Sequence, residues 1–572
     1  MKYRWEIPPP RPLEVRLLRE ALEVSELTSA CLVDRGLSDP VEARRFLDPR
    51  LRDLADPFRL PQMDLAVARL LKARERGEPV VIFGDYDVDG VTSTALLSGL
   101  LGTLGWQVSQ YLPDRFTEGY GLTQLAVENC HARGPIGLLL AVDCGSTARG
   151  PVQWLRDRGI DVVVLDHHQP GDSPAEPVAL VNPQMGASDQ ELCSAGLAFK
   201  LGHALLKTGR ERGLPGFAQY DLRASLDLVA LGTIADLVPL IGENRILASV
   251  GIQRLAGSTR TGLVALKHVA GVADTIRVDQ IGFQLGPRLN AAGRLDSARQ
   301  ALDLLLTDDA AQAQSLAEAL DACNRERQTI ERKMAEDAIA LVRSRFNPER
   351  DFVIVEAQLL WHIGVVGIVA SRVLREFHRP TLIIGGDGAE WRGSGRSIAG
   401  FDLAAALRSC EDLLVKHGGH AMAAGVTVEP GRVDELRDRL NRIAQASLTS
   451  DQLIPGLRID ATAPLSELDE AAVVELARLE PFGQGNPAVQ VRIPGLRHAR
   501  PPQRMGKEQK HWRFQLTDGR TTVDCVWWSA GTRPVPTGDF DIVAVPELNE
   551  YAGRRSVRLR FLDWRPHSSP AP

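Results

Sequence analysis

Val80 to Leu97 reads VVIFGDYDVDGVTSTALL. Val80 to Phe83 is an apolar run without helical period, bounded by Pro79 and Gly84, which predicts a buried parallel strand. From Gly90 onward the period turns helical, with Ala95, Leu96, Gly99, Leu100 and Leu104 on one stripe. Asp85, Asp87 and Asp89 stand between strand and helix. In an open α/β sheet that position is the crevice beyond the strand's carboxyl end, where ligands bind. Three carboxylates packed there repel one another unless positive charge sits among them, and a divalent cation answers that need. The competing assignment makes Asp89 a helix cap, Asp85 a turn former and Asp87 merely exposed.

The same alternation continues outward. Strand-like runs recur at Val108–Leu112, Gly137–Val142, Asp161–Leu165 and Val178–Val181, with helical patterns at Leu122–Ala132 and Ala148–Arg158 between them. This is the pattern of a doubly wound parallel sheet. Unusual residues fall at the strand ends: Asp143 after GLLLAV, then Asp166, His167 and His168 after VVVL. Asp236 interrupts the greasy run LDLVALGTIADLVPL, where an unpartnered carboxylate would be costly. Asp85, Asp87, Asp89, Asp143 and Asp236 with His167 form an oxygen-and-nitrogen donor set that suits Mn²⁺ or Mg²⁺ over a thiolate-loving ion.

At 572 residues the chain exceeds one core. With 44% hydrophobic and 24% charged residues it has an ordinary globular composition. No apolar run approaches membrane-spanning length, and the start MKYRWEIPPPRP lacks a signal-peptide core. The 7 Cys are scattered without a CxxC, which argues against a disulfide framework and a zinc ribbon and for a reducing, cytoplasmic setting. The net charge of −6 hides an asymmetry: residues 491–572 carry 14 Lys+Arg against 8 Asp+Glu. That excess of 6 leaves −12 on residues 1–490, so a polyanion would be guided to the C-terminal end.

The motifs GDYDVDG, AVDCGS, LDHH and GTIAD, in this order, resemble those of the DHH phosphoesterase superfamily. The further stretches YLPDRFTEGYG (Tyr111–Gly121), GPRLNAAGRL (Gly286–Leu295), NRERQ (Asn324–Gln328), WHIGVVGIVASR (Trp361–Arg372), RGSGRS (Arg392–Ser397) and GGHAMAAG (Gly418–Gly425) narrow the resemblance to RecJ-type single-strand DNA exonucleases. The pyrophosphatase branch carries a His four residues before the first of its paired Asp; Phe83 stands there, with Asp85 available instead.

The implied architecture is α/β: a doubly wound parallel-sheet DHH domain (61–300), a long connecting helix (301–345), a smaller α/β DHHA1 domain (346–450) and an all-β OB-fold domain (451–565). An N-terminal segment (1–60) should pack on the domain that follows it, and the tail 566–572 reads as disordered. RGSGRS and GGHAMAAG read as loops, and the charges of NRERQ as a solvated helix face. In the last domain Trp512, Trp527, Trp528 and Trp564 lie among arginines and lysines, as single-stranded nucleic acid requires, although some must be core.

The resemblance implies a metal-dependent 5′→3′ exonuclease that degrades single-stranded DNA to mononucleotides in repair and recombination. Two Mn²⁺ or Mg²⁺ ions would be bridged by Asp143, with Asp85 and Asp87 toward one, and Asp89, His167 and Asp236 toward the other. His168 would face the scissile phosphate, so Asp87, Asp143 and His168 are the catalytic candidates. Arg115 would hold the terminal phosphate and Tyr120 stack on a base, with a surface ion pair and a core Tyr as the rival assignments. Arg288, Asn290, Ser371, Arg372, Arg392, Arg396, Ser397 and His420 are the remaining candidate substrate contacts. Single-strand-binding protein and a helicase would be its partners, and a monomer its state. The rival activities are a DHH phosphodiesterase for short oligoribonucleotides or cyclic dinucleotides, and a non-catalytic replication adaptor.

Overall fold

The computed structural model describes residues 3–567 except Phe116, residues 187–190, Asp274, Asp296, Asp387, Thr532 and Ala552. The predicted disordered tail therefore falls outside the described residues from 568 onward. Its first two residues are ordered: the last strand runs to Pro566, and His567 Nδ1 lies 2.6 Å from Asp541.

Five parallel strands form the first sheet, in the order Gln107–Tyr111, Pro79–Phe83, Leu138–Val142, Asp161–Leu165, Ala179–Val181. The two-residue alternation of each strand divides its side chains between two cores. Val80, Ile82, Leu138, Leu140, Val163 and Leu165 enter the larger core beneath helices Met63–Arg76, Val88–Thr103 and Ser194–Glu211. Val81, Phe83, Leu139, Ala141, Val162 and Val164 enter the opposite one, closed by Gln124–Ala132 and Arg149–Arg156. Helices on both faces explain why four of these strands read as continuous apolar runs, the edge strand Gln107–Tyr111 being partly exposed.

The expected connecting helix is two. Arg299–Leu306 ends at Thr307, and Ala310–Arg345 restarts with the Asp309 side chain accepting from Ala311 and Gln312 N–H. A capping Asp beside two further polar residues interrupts a pattern whose apolar spacing alone looks unbroken. Of the NRERQ charges, Arg325 and Glu326 are exposed as expected and only Arg327 is buried, while acids on either side of the stretch are engaged. Asp321 pairs with Arg288 at 2.9 Å and Glu331 with Arg372 at 2.7 Å, with Asn324, Arg327 and Glu331 buried.

The second α/β unit has a mixed sheet in the order Lys416–His420, Ala423–Val428, Trp391–Arg396, Thr381–Gly386, Ile354–Leu359, only the last two being parallel. RGSGRS and GGHAMAAG are thus strands, not loops. Gly393 and Gly395 turn inward, where an added Cβ would meet Ile384 at 2.7 Å or Leu403 at 2.5 Å. Arg392, Ser394 and Arg396 alternate onto the other face.

Strands Val491–Met505, His511–Thr517, Thr522–Trp527, Arg554–Pro566 and Phe540–Tyr551 close into a barrel, the last returning to pair with the first. The first part of the N-terminal segment packs here, whereas Leu51, Leu54 and Leu60 at its end pack on the core of the domain that follows it in sequence, as expected. Leu18, Leu27, Leu32 and Phe46 share one core with Leu465, Leu479, Phe514 and Phe540, and Arg4–Glu6 pairs in parallel with Gly456–Arg458. Arg35 reaches Asp460 at 2.6 Å in a buried ion pair that fixes this union.

Arg245 then ties the union to the first domain. Its guanidinium is fully buried, stacks 3.7 Å from Phe46, and donates to the carbonyls of Phe46, Arg478, Leu479 and Glu480. No carboxylate pairs with it among the described residues, so carbonyl dipoles carry the charge.

Candidate active site

Each acidic residue of the first domain is aimed by a local backbone feature. Asp87 is the N-cap of Val88–Thr103, its carboxylate accepting from Asp89 and Gly90 N–H at 3.0 and 3.1 Å. Gly90 is required there, because a Cβ would lie 2.6 Å from the Asp85 carbonyl. Asp89, in the first turn of that helix, accepts from the N–H groups of Ser194 (2.6 Å) and Ala195 (2.8 Å) at the start of Ser194–Glu211. That helix end offers unsatisfied donors and positive dipole to a buried carboxylate. Asp143 sits after its strand with φ of +65°, a left-handed conformation that Asp tolerates better than most residues. Ser194 Oγ donates to it at 3.1 Å. Asp236 ends the helix Leu226–Ala235, whose Gly232 lets Asp89 approach to 2.7 Å of where a Cβ would stand.

These features bring the predicted set together. Ligand atoms of Asp85, Asp87 and Asp143 lie within 4.8 Å of one another, as do those of Asp89, His167 and Asp236. His167 Nε2 is 3.3 Å from Asp143, 3.5 Å from Asp236 and 3.9 Å from Asp89. Both carboxylate oxygens of Asp85 are buried without a hydrogen-bond partner among the described residues, and so is His167 Nε2. Burial, reinforced by the neighbouring carboxylates, raises Asp85 and Asp143 well above the usual carboxylate range and Asp236 to about 9. Orphaned acceptors converging in two adjoining triads fit a pair of divalent cations: hard oxygen donors dominate, with one imidazole.

His168 is held differently. Its Nδ1 donates to Asp166 at 2.7 Å, and its Nε2 is 2.9 Å from the Tyr120 hydroxyl. Burial opposes charge on both partners, yet their hydrogen bond prevails, placing His168 at about 9 and Asp166 at about 2. Asp166 also accepts from the N–H groups of Ser146, His167 and His168. Sequence reasoning assigned no role to Asp166, Ser146 or Ser194. The signal for Asp166 was present, a carboxylate two residues before a strand-end His; for Ser194, 51 residues from Asp143, no local pattern exists.

Around this nest, Arg115 lies 5.1 Å over the Tyr86 ring, and Tyr120 is 55% exposed, its ring edge-on to Tyr86 and His168. Asn290 accepts from Val88 N–H at 3.0 Å and so steadies the helix bearing Asp89. Arg294, which the reading of GPRLNAAGRL passed over for a specific role, donates to the Gly364 carbonyl across to the second α/β unit. Arg288 and Arg372 are occupied by the ion pairs with Asp321 and Glu331. Ser397 is buried, its hydroxyl donating to Phe401 at 2.7 Å, and the Ser371 hydroxyl donates to Gly367. By contrast Arg392 and His420 are exposed, and Arg396 bonds only Ser394 and the Gly395 carbonyl among the described residues. On the barrel, Trp527 is core and Trp528 is 43% exposed, while Arg504 stacks 4.4 Å over Trp512. Arg558 and Arg560 are paired with Glu547, whereas Arg497, Arg500 and Lys507 have no ion pair among the described residues.

Known proteins show the same organisation. A family model described as "DHH family, N-terminal domain" matches residues 79–233, "DHHA1 domain" residues 350–446, and "RecJ OB domain" residues 459–563. The single-stranded-DNA-specific exonuclease RecJ of Bacillus subtilis is 37% identical over 573 residues, covering 98% of this chain and 71% of the relative. The crystal structure of RecJ in complex with Mn²⁺ from Thermus thermophilus superposes with a TM-score of 0.85 at 31% identity, covering 100% of this chain and 81% of that one. The Mg²⁺ complex of the same protein gives 0.80 at 30% identity, covering 99% and 79%. The doubly wound sheet with its acidic rim, the mixed-sheet unit and the terminal barrel are one continuous match, and the chain belongs to the RecJ family of single-stranded-DNA-specific exonucleases.

Proposed function

We propose that this chain hydrolyses single-stranded DNA from the 5′ end, releasing mononucleotides, with two Mn²⁺ or Mg²⁺ ions held in the nest. The observation that supports it is the pair of adjoining donor triads, Asp85–Asp87–Asp143 and Asp89–His167–Asp236, joined by the approach of His167 to Asp143 and with orphaned acceptors on Asp85 and His167. When bound, such ions neutralise charge on the reacting phosphate and bring a water to its nucleophilic form near neutral pH.

The chain's own residues do the rest. Asp89 and Asp143 are locked by the Ser194 backbone and hydroxyl, so their free lone pairs keep one direction. His168, oriented by Asp166, presents its other nitrogen toward the crevice beside Tyr120 and stabilises charge on the scissile phosphate. Arg115 and Tyr120 take the terminal phosphate and base. The exposed strand face carrying Arg392, Arg396 and His420 holds the backbone behind them, and the barrel's Arg497, Arg500 and Lys507 extend that track. Arg288, Arg372 and Ser397 serve the scaffold instead, since their polar groups are already engaged.

No helix among the described residues is long and apolar enough to cross a membrane. A cytoplasmic monomer working in repair and recombination, supplied by a helicase and by single-strand-binding protein, is the setting this activity suits.

Single-stranded DNA labelled at either end, incubated with Mn²⁺, with chelator, and with Asp143→Ala, tests metal need, polarity and site together. Loss of the 5′ label first, only with metal and only in the wild type, is the expected result. Metal-independent cleavage, or cleavage by Asp143→Ala at the wild-type rate, overturns the assignment.

A further inference from the structure

Two large apolar side chains stand in solvent, one next to Asp236 and one on a turn packed against the helix that ends there, and the backbone is distorted at both. Leu237, next to Asp236, is 70% exposed at a φ of +62°. Phe283 is 77% exposed in the middle of a π-helical turn, Ile281–Leu285. Such turns cost backbone energy and recur at functional sites. Ile281 and Leu285 of the same turn are buried in the main core, so Phe283 is the member left outside.

The stretch from Arg277 to Arg294 shows where this step lies. At its beginning Arg277 feels the charges of Glu480 and Glu547, on the barrel and its approach. Leu240, three residues past Leu237, donates to the Gln484 carbonyl in that same approach at 2.7 Å. Further along, a Cβ on Gly286 would lie 3.4 Å from that of Ala235, beside Asp236, and Asn290 accepts from Val88 at the nest. The segments that carry Phe283 and Leu237 thus both run between the barrel's approach and the acidic residues. An exposed ring on the path of a charged, base-bearing chain has one obvious complement, the face of a nucleobase, with stacking indifferent to sequence.

We infer that Phe283 and Leu237 form a stacking step for nucleobases of the single strand between the barrel and the nest. The inference rests on the exonuclease reading. The step holds a base behind the scissile nucleotide, so it governs capture and register of long strands.

The test uses the full chain in chelator with oligonucleotides carrying the fluorescent base 2-aminopurine at single positions counted from the 5′ end, followed by steady-state kinetics with Mn²⁺. Wild type should quench one or two adjacent positions. Phe283→Ala should restore brightness there and raise KM for a long strand about tenfold, with a smaller effect on kcat. Phe283→Trp should behave as wild type. Because the ring is exposed, Phe283→Ala should shift Tm by no more than about 1 °C, which separates stacking from a packing role. Unchanged quenching and KM in Phe283→Ala overturn the step while leaving the exonuclease reading intact. A wild type that leaves single-stranded DNA whole refutes the activity itself.

Discussion

His167 Nε2 lies 3.3 Å from Asp143 Oδ1 and 3.5 Å from Asp236 Oδ2. Despite those separations the geometry gives this buried nitrogen no hydrogen bond to either carboxylate. The arrangement makes sense as a set of donors that all converge on one positive charge.

Metal-free protein should therefore be held back by its own active site. Asp85, Asp143 and Asp236 are raised above their unfolded range, Asp236 to about 9, by burial first and by neighbouring carboxylates, chiefly Asp87 and Asp89, next. A raised carboxylate gives stability that is complete below the unfolded pKa, about 4, and is lost as pH climbs through the folded value. In chelator, stability should fall as pH rises from about 4 to about 9. Asp236→Asn should flatten that fall and raise Tm at pH 8, while lowering kcat about 100-fold or more. Denaturation curves across pH, with and without Mn²⁺, check both halves.

The His168–Asp166 pair offers a second expectation. Asp166→Asn keeps the shape but removes the charge that holds Nδ1 at 2.7 Å. It should lower kcat about 10- to 100-fold with little change in KM, whereas His168→Ala should cost about 100- to 1000-fold. Steady-state rates on a fixed oligonucleotide separate the two.

Truncation should follow the cores, not the sequence order. Leu18, Leu27, Leu32 and Phe46 lie in the barrel's core. A chain ending near Gln445 would therefore expose them, and should be poorly soluble. Removing residues 1–47 as well should restore solubility. The buried Arg245 clamp predicts that Arg245→Ala loses about 3 kcal/mol or more, since four carbonyls would be left without their donor. Light scattering and chemical denaturation read these outcomes.

On the barrel, Arg497, Arg500 and Lys507 are free of acidic partners among the described residues, unlike Arg558 and Arg560. Replacing Arg497 and Arg500 by Gln should weaken binding of metal-free protein to single-stranded DNA. The log–log salt slope should shrink by about 0.7 per cation removed. The same change at Arg558 should do less.

Much of this was legible in the residues because the relevant signals are local. The alternating runs from Val80 to Val181 name the sheet, and acids directly after strand ends must share one crevice whatever else the chain does. What escaped was non-local or disguised. Glycines in RGSGRS look like a hinge but are the inward positions of a strand packed too closely for a Cβ. Asp309 broke a helix whose apolar spacing runs straight through it. Arg288 and Arg372 looked available until Asp321 and Glu331 claimed them across 33 and 41 residues of sequence. The contact between the chain's beginning and its barrel, set by Leu18 and Phe46, has no sequence signature, because an amphipathic helix does not say which core will take it.

Anomalous diffraction from crystals of the wild-type chain grown with Mn²⁺ tests the central claim most directly. Two peaks are predicted, one among Asp85, Asp87 and Asp143 and one among Asp89, His167 and Asp236, with Asp143 touching both. An empty nest, or manganese bound only elsewhere on the chain, would contradict the account.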